Sequence, residues 1–221
     1  MAGKYVEKAS EELKVREGAL AESYGDKKRY NGPCGEHSGF RDVRYTYADY
    51  CTWDDDVRYE LIDGVPIVMD APSRGHQGAL GEFFGQLWSF LKRKPCKVYM
   101  APFDVRLNAD KEDDTVVQPD VIVVCDESKL NEKGCAGVPD LAIEVLSPSN
   151  KRHDTFVKYN KYLHVGIREY WIVDLEEKTV TVNILDKDKG VYRSVLYTEL
   201  DTVPVHVIDG CQIDLHDVFM E

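Results

Sequence analysis

Long apolar runs and an excess of basic residues are both missing from this chain of 221 residues. No stretch approaches the roughly 18 apolar residues that a membrane helix needs, so we expect no membrane partner. The opening MAGKYVEKASEELK alternates charge and lacks the apolar centre of a signal peptide, which favours a cytoplasmic location. A net charge of −12 and a pI near 5.0 argue against a large basic face for nonspecific duplex binding.

The signatures of several enzyme classes and of zinc sites are also missing. The sequence has no Gly-rich phosphate loop, no GxSxG elbow and no HExxH, which argues against nucleotide triphosphatases, serine hydrolases and zincins. Its six cysteines stand singly, without a CxxC pair or a Cys/His spacing typical of zinc. We therefore expect reduced, mostly structural thiols.

The length fits one domain with a small appendage. Residues 1–44 combine a charged, helix-favouring opening with a stretch rich in Gly, Pro and polar residues, which predicts a peripheral extension. Residues 45–221 are patterned more tightly and form the predicted domain.

Within that domain the pattern predicts an α/β fold, with a mixed sheet flanked by helices and extra antiparallel strands at both ends. Two β-rich runs around Asp63-Gly64 indicate a hairpin. The core should follow as a helix (75–94), three strands (97–107, 116–125 and 140–147), a helix (152–164) and a strand (169–174). Alternating runs at 179–185, 191–197 and 203–208 predict antiparallel strands with one wet face.

Two acidic residues are embedded in the apolar strands of this pattern. Asp120 precedes Val-Ile-Val-Val, and Glu144 lies in Leu-Ala-Ile-Glu-Val-Leu. A buried ionised carboxylate costs several kcal/mol unless it meets a cation, a hydrogen-bond network or an open cleft. Taken singly, each acid could equally be a strand-start residue or a partner in an ion pair.

If the two strands are neighbours, both acids can converge on one hard cation. Mg²⁺ typically takes one or two carboxylates together with water and substrate phosphate. Such a metal activates a water and neutralises phosphate charge during in-line hydrolysis. The pair therefore favours a metal-dependent phosphodiesterase.

Several spaced motifs occur in a recognisable order. They are YELIDG at 59–64, Gln-Pro-Asp at 118–120, PDLAIEVLSPS at 139–149, then Asp154, Lys158 and Tyr162, and GIREYW at 166–171. In this order they resemble the Uma-two family of restriction-endonuclease-like proteins, over about residue 45 to the C-terminus. The resemblance implies a PD-(D/E)XK nuclease core in which Asp120 and Glu144 bind Mg²⁺.

One position departs from the superfamily pattern. A Glu-X-Lys motif needs lysine at 146, where this chain has Leu146. The family pattern suggests that a lysine on the following helix, here Lys158, supplies the charge that stabilises the reacting phosphate. Asp154, Lys158 and Tyr162 share one helical stripe, although Asp154 and Lys158 could instead form a surface ion pair.

Further residues are auxiliary candidates. The matching family motif makes Glu60 an additional acid, and the backbone carbonyl of Val145 is a candidate metal ligand. His76 and Asp104 are weaker candidates, because a His at a helix start and an Asp paired with nearby Arg106 have structural explanations.

These observations together predict a Mg²⁺-dependent (or Mn²⁺-dependent) endonuclease acting on DNA, simplest as a homodimer if it cuts both strands. Two alternatives stay open. One is a nuclease fold retained for binding or assembly with little or no turnover, which Leu146 and the acidic charge favour. The other is a carboxylate-pair hydrolase of another substrate, which needs no metal.

Overall fold

The structure, a computed structural model, describes residues 43–54, 56–147 and 153–220, without the side chains of residues 153 and 154. The strands in these ranges are β1 (Tyr59–Ile62), β2 (Val65–Val68), β3 (Lys97–Met100), β4 (Asp104–Arg106), β5 (Val116–Val117), β6 (Val121–Val124), β7 (Leu130–Asn131), β8 (Gly134–Ala136), β9 (Leu141–Val145), β10 (Glu169–Asp174), β11 (Thr179–Asp186), β12 (Val191–Thr198), β13 (Thr202–Pro204) and β14 (Gln212–Asp214). The α-helices are α1 (Tyr47–Tyr50), α2 (Arg74–Leu91), α3 (Tyr159–Val165) and α4 (Leu215–Val218); Glu127–Lys129 is a 3₁₀ turn, and π-helical turns at His153–Lys158 lead into α3.

The strands form two six-stranded sheets and a small hairpin. The first sheet has the order β2-β1-β5-β4-β8-β7, and the second has the order β12-β11-β10-β9-β6-β3. Strands β13 and β14 pair with each other. Because β9 and β10 run parallel while their other neighbours are antiparallel, the second sheet is mixed. The predicted α/β class is confirmed.

Two elements fall where the sequence pattern predicts them. The β1–β2 hairpin turns at Asp63 and Gly64, which have φ values of 50° and 74°. Helix α2 begins after Ser73, whose side chain accepts from the His76 amide, and it ends at Leu91, ahead of Pro95. Its apolar stripe packs on one face of the second sheet, where Phe83 contacts Trp171 edge to face.

The opposite face of the second sheet is covered by α3 and by the first sheet. Ile122, Ala142 and Tyr170 of this face pack with Tyr162 of α3 and with Val105 of β4. Side chains alternate between the faces of a strand, so β9 directs Glu144 to the side that carries Ala142. That side of the sheet holds the candidate site.

Two of the predicted strands are each broken into two. The predicted strand at 97–107 is β3 and β4, separated at Ala101-Pro102-Phe103, and the Ala101–Pro102 peptide bond is cis. The predicted strand at 116–125 is β5 and β6, separated at residues 118–120. In both cases the first and second pieces lie in different sheets. Each break contains a proline, which cannot donate to a strand ladder.

Three further expectations need adjustment. The predicted reversal at 129–137 contains the short strands β7 and β8, and the predicted helix at 152–164 begins with π-helical turns. Of the predicted strand at 203–208, only residues up to Pro204 are strand. The expected turn at 147–150 and the extension at 1–44 lie almost entirely outside the described residues.

The expectation of reduced thiols is wrong for one pair. Cys96 and Cys125 form a disulfide, because they flank β3 and β6 at opposite positions of an antiparallel ladder that pairs Lys97 with Val124. Cys51, Cys135 and Cys211 are free thiols.

None of the helices in the described part of the chain is long and apolar enough to cross a membrane.

Candidate functional site

A buried lysine joins carboxylates from the two sheets. Lys158 Nζ lies 2.9 Å from Glu60 Oε1 on β1 and 2.9 Å from Glu144 Oε1 on β9. All three side chains are about 3% exposed. Two buried carboxylates so close together need a cation, since each ion carries a desolvation penalty of several kcal/mol. Lys158 supplies that cation.

Local structure explains how these three residues meet. Every residue of β1 and of β9 is buried, so Glu60 and Glu144 cannot turn toward bulk water. Lys158 ends the π-helical turns that precede α3, and it is 2% exposed. This position places the ammonium group of Lys158 between the two sheets.

Tyr162 lies one helical turn beyond Lys158 and contacts the same acid. Its hydroxyl donates to Glu144 Oε1 at 2.8 Å. Burial, followed by the charge of Glu144, raises the pKa of Tyr162 well above its usual value. The hydroxyl thus stays a neutral donor that fixes the orientation of the Glu144 carboxylate.

Asp120 is held at the start of β6, immediately after Pro119. Its Oδ2 accepts from the Val145 amide at 2.7 Å and lies 3.2 Å from His76 Nε2 on α2. The β6–β9 register pairs Val121 with Ile143, so Asp120 and Glu144 occupy the next opposite positions. The two acids of the sequence pattern are therefore neighbours across two adjacent strands.

A second set of polar contacts holds Glu60. Its Oε1 accepts from the Gln118 amide at 2.8 Å. The Gln118 side chain donates to Asp104 Oδ1 at 2.9 Å and to the Tyr50 hydroxyl at 3.1 Å, and it accepts from Arg58 at 2.7 Å. Burial, followed by Asp104, raises the pKa of Tyr50. Gln118, inside the break between β5 and β6, thus ties Glu60 to Tyr50 of α1.

Comparison with known proteins identifies the family. The model of the Uma2 family, described as "Putative restriction endonuclease", matches residues 46–216. The chain belongs to the Uma2 family. No curated protein matches it.

A solved structure shares the Uma2 fold seen here. It is a crystal structure from Anabaena variabilis described as "a putative nuclease belonging to DUF820", with 19% sequence identity and a TM-score of 0.63. The match covers 79% of this chain and 97% of that one. The expected restriction-endonuclease-like architecture is confirmed at the level of fold.

The donors of this Uma2 site fit a hard divalent cation. Among the described residues, no group of three or more His, Cys, Asp or Glu side chains is arranged to hold a metal. Mg²⁺, however, commonly uses one or two protein carboxylates and takes its other ligands from water and phosphate. Asp120, Glu144 and Glu60 together with Lys158 carry two formal negative charges, which one divalent cation would balance.

The structure brings most of the predicted site residues together. Glu60, Glu144, Lys158 and Tyr162 form one contact group, while Asp120 and His76 meet beside it. The Val145 amide contacts Asp120, while its carbonyl as a metal ligand stays a prediction. The Asp154 side chain lies outside the described residues.

The structure bears on two expected ion pairs. Lys158 is buried against two carboxylates rather than on the surface, and the side chain of Asp154, its alternative partner, lies outside the described residues. The second expectation is wrong. Asp104 does not pair with Arg106, which binds Asp113 through Nε at 2.8 Å and through Nη2. Arg106 and Asp104 are two apart on β4, but the long 108–114 turn brings Asp113 back to the guanidinium.

Gln118, Arg58 and Tyr50 are the contacts that the sequence did not predict. Gln118 stands directly before Pro-Asp, so its position in the motif was a usable signal. No sequence motif marks Arg58 or Tyr50, because their contacts with Gln118 depend on how the first sheet packs against the second.

Proposed function

We propose that this Uma2 protein is a Mg²⁺-dependent (or Mn²⁺-dependent) endonuclease that hydrolyses DNA phosphodiester bonds. The observation that carries the proposal is the placement of Asp120 and Glu144 at opposite positions of β6 and β9, with the charged end of Lys158 against Glu144. Membership of the Uma2 family and the fold shared with the Anabaena variabilis structure support the proposal.

In this proposal Asp120, Glu144 and the Val145 carbonyl hold the metal. Bound there, Mg²⁺ would lower the pKa of a water and neutralise phosphate charge. His76 fixes Asp120 from the side of α2, and Tyr162 fixes Glu144 from the side of α3.

Lys158 is the proposed charge stabiliser for the reacting phosphate. Its ammonium group lies 2.9 Å from a proposed metal ligand, so it places positive charge next to the position of the reaction. Glu60 holds that ammonium group from the opposite side and is itself held by the Gln118 amide. This arrangement supports the view that a helical lysine replaces the one missing at Leu146.

The test is hydrolysis of supercoiled plasmid with Mg²⁺. Asp120→Ala should abolish cleavage, because it removes a metal ligand, and Lys158→Met should lower the rate by roughly 100-fold. Asp188→Ala, an exposed acid in the β11–β12 turn, should cleave like the wild type. Cleavage by Asp120→Ala at the wild-type rate would contradict the assignment, and cleavage that persists in EDTA would favour a metal-free carboxylate pair.

A nuclease fold used for binding without turnover is the second candidate. The 2% exposure of Lys158 favours it, because a catalytic ammonium must reach the substrate. Calorimetric titration with Mn²⁺ separates the two functions. Binding that disappears in Glu144→Gln supports the nuclease, while wild-type protein that binds no Mn²⁺ and cleaves no DNA supports the binding protein.

A further inference from the structure

Helix α2 differs in charge from the rest of the molecule. The chain has 40 acidic residues against 28 Lys and Arg, yet α2 contains one acid, Glu82, which accepts from Gln86 at 3.0 Å. Helical periodicity places Arg74, Gln77, Gly81 and Trp88 on one side of α2, away from the sheet. That side carries no acidic side chain.

Three cations follow at the C-terminal end of this helix. Lys92, Arg93 and Lys94 are all exposed, and none of them forms an ion pair with a described carboxylate. Lys92 caps the helix through its amide, which donates to the Trp88 carbonyl at 3.0 Å. Arg93 has a left-handed φ of 68°, so the chain turns directly after the helix. Lys92 Nζ lies over the ring of Trp88, and Lys94 Nζ lies 3.1 Å from the centre of the Phe90 ring. The result is a local positive field on an acidic protein.

An exposed tryptophan lies beside these cations. Trp88 is 48% exposed, and Lys92 Nζ lies 4.8 Å from the centre of its ring. Trp171, in contrast, is fully buried. An exposed aromatic ring next to a lysine ammonium group is a suitable platform for stacking a nucleobase whose phosphates contact nearby cations.

We propose that the basic end of α2, formed by Trp88, Lys92, Arg93 and Lys94, binds a single-stranded segment of nucleic acid. Charge complementarity selects the partner, since phosphates match the three exposed cations and a base matches the exposed ring. The choice of nucleic acid over another polyanion rests on the proposed nuclease function.

The position of α2 connects this surface with the candidate site. His76, at the first turn of α2, contacts Asp120, and the helix spans about 24 Å from there to its basic end. Built Cβ atoms at Gly81 and Gly85 would meet no atom within 4 Å, so the intervening surface is open. A nucleic-acid strand bound at the basic end can therefore extend along the helix toward Asp120. The basic end would then anchor the substrate at a point remote from the bond that is cleaved.

Binding is measured by fluorescence anisotropy of a labelled single-stranded oligodeoxynucleotide, with the full chain in EDTA so that no cleavage occurs. Trp88→Ala should weaken binding by roughly 5- to 150-fold, the range found for losing one stacked base. The triple variant K92Q/R93Q/K94Q should reduce the slope of log K against log salt by about 2. The variant K187Q/K189Q, in the exposed β11–β12 turn, should bind like the wild type.

Tryptophan emission gives a second, direct measurement. The chain has three tryptophans, and stacking should quench the emission of Trp88 when the oligonucleotide is added. Trp88→Phe should lose this quenching while keeping most of the affinity, because phenylalanine also stacks.

The inference is overturned if Trp88→Ala and the triple variant bind like the wild type, or if K187Q/K189Q weakens binding as much. It is also overturned if these variants lose binding to vesicles containing anionic phosphatidylserine but keep binding to the oligonucleotide. Plasmid cleavage is scored separately. If the protein cleaves plasmid but the variants of the basic end bind the oligonucleotide like the wild type, only this inference is overturned. If the basic end binds the oligonucleotide but the protein cleaves no plasmid, only the nuclease proposal is overturned.

Discussion

Lys158 lies directly before α3 in the sequence, and its side chain contacts acids of both sheets. It meets Glu60 from the first sheet and Glu144 from the second, each at 2.9 Å. Removing one partner of a buried ion pair is costly because the remaining charge stays buried. The same lysine that is proposed to act on phosphate therefore also holds the two sheets together through their acids.

The substitution Lys158→Met tests this structural role. It leaves Glu60 and Glu144 without their shared cation, so the free energy of unfolding should fall by about 3 to 5 kcal/mol in EDTA. Urea unfolding provides the measurement. Adding Glu144→Gln to the variant should restore part of the loss, because one buried charge is removed.

Lys161→Met, on the adjoining helix α3, is the matched control. Lys161 pairs with Asp63, whose side chain is 55% exposed, so its loss should change stability by less than about 1 kcal/mol. Equal effects of the two substitutions would contradict a special role for Lys158.

At the scale of elements, the sequence predicted the existence of strands better than their continuity. Apolar runs and the hairpin turn at Asp63-Gly64 identified most strands, because burial and turn chemistry are local properties. The predicted strand at 116–125 includes residues 118–120, whereas in the structure they carry the chain from the first sheet to the second. The paired acids were predictable from their apolar surroundings, but Gln118 as a link to Tyr50 depends on this crossing between sheets.

Strands β4 and β8 of the first sheet lie very close to each other at Gly134. It lies on β8 opposite Asp104 of β4, with a φ of +142°. A Cβ there would lie 2.2 Å from the Asp104 carbonyl oxygen, a backbone atom that can move only with its strand. Gly134→Ala should therefore lower the free energy of unfolding, as measured with urea.

Gly190→Ala separates backbone strain from the close contact. Gly190 also has a positive φ, of +64°, but no atom lies within 4 Å of its built Cβ. Overpacking typically costs 1 to 3 kcal/mol, so Gly134→Ala should be about 2 kcal/mol more destabilising than Gly190→Ala. Similar losses in the two variants would show that β4 and β8 move apart easily.

At the scale of the whole molecule, the proposed function requires an acidic protein to hold a polyanion. Composition alone argued against a nucleic-acid partner, because it averages over the surface. The structure places three exposed cations at one end of α2, and places carboxylates with two surplus formal charges at the opposite end, beside His76. A local basic surface and a cation-binding site are compatible with a net charge of −12.

Buried tyrosines give the whole molecule a defined response to alkaline pH. Burial is the main cause that raises the pKa of Tyr47, Tyr50, Tyr162 and Tyr192. A group whose pKa is raised by folding contributes its full stability below the unfolded pKa, here about 10, and loses it as the pH rises further. Burial also raises the pKa of the Cys135 thiol to about 11, which acts in the same direction.

The free energy of unfolding should therefore decline above pH 10, by about 1.4 kcal/mol per pH unit for each such tyrosine. Urea unfolding between pH 8 and pH 11 measures the decline. Tyr192→Phe loses the hydroxyl that donates to the Ile167 carbonyl at 2.9 Å, so it should be less stable at neutral pH. Its stability should nevertheless fall less steeply at high pH, because one titrating group is gone. Parallel curves for the variant and the wild type would mean that Tyr192 ionises as readily in the folded chain as in the unfolded one.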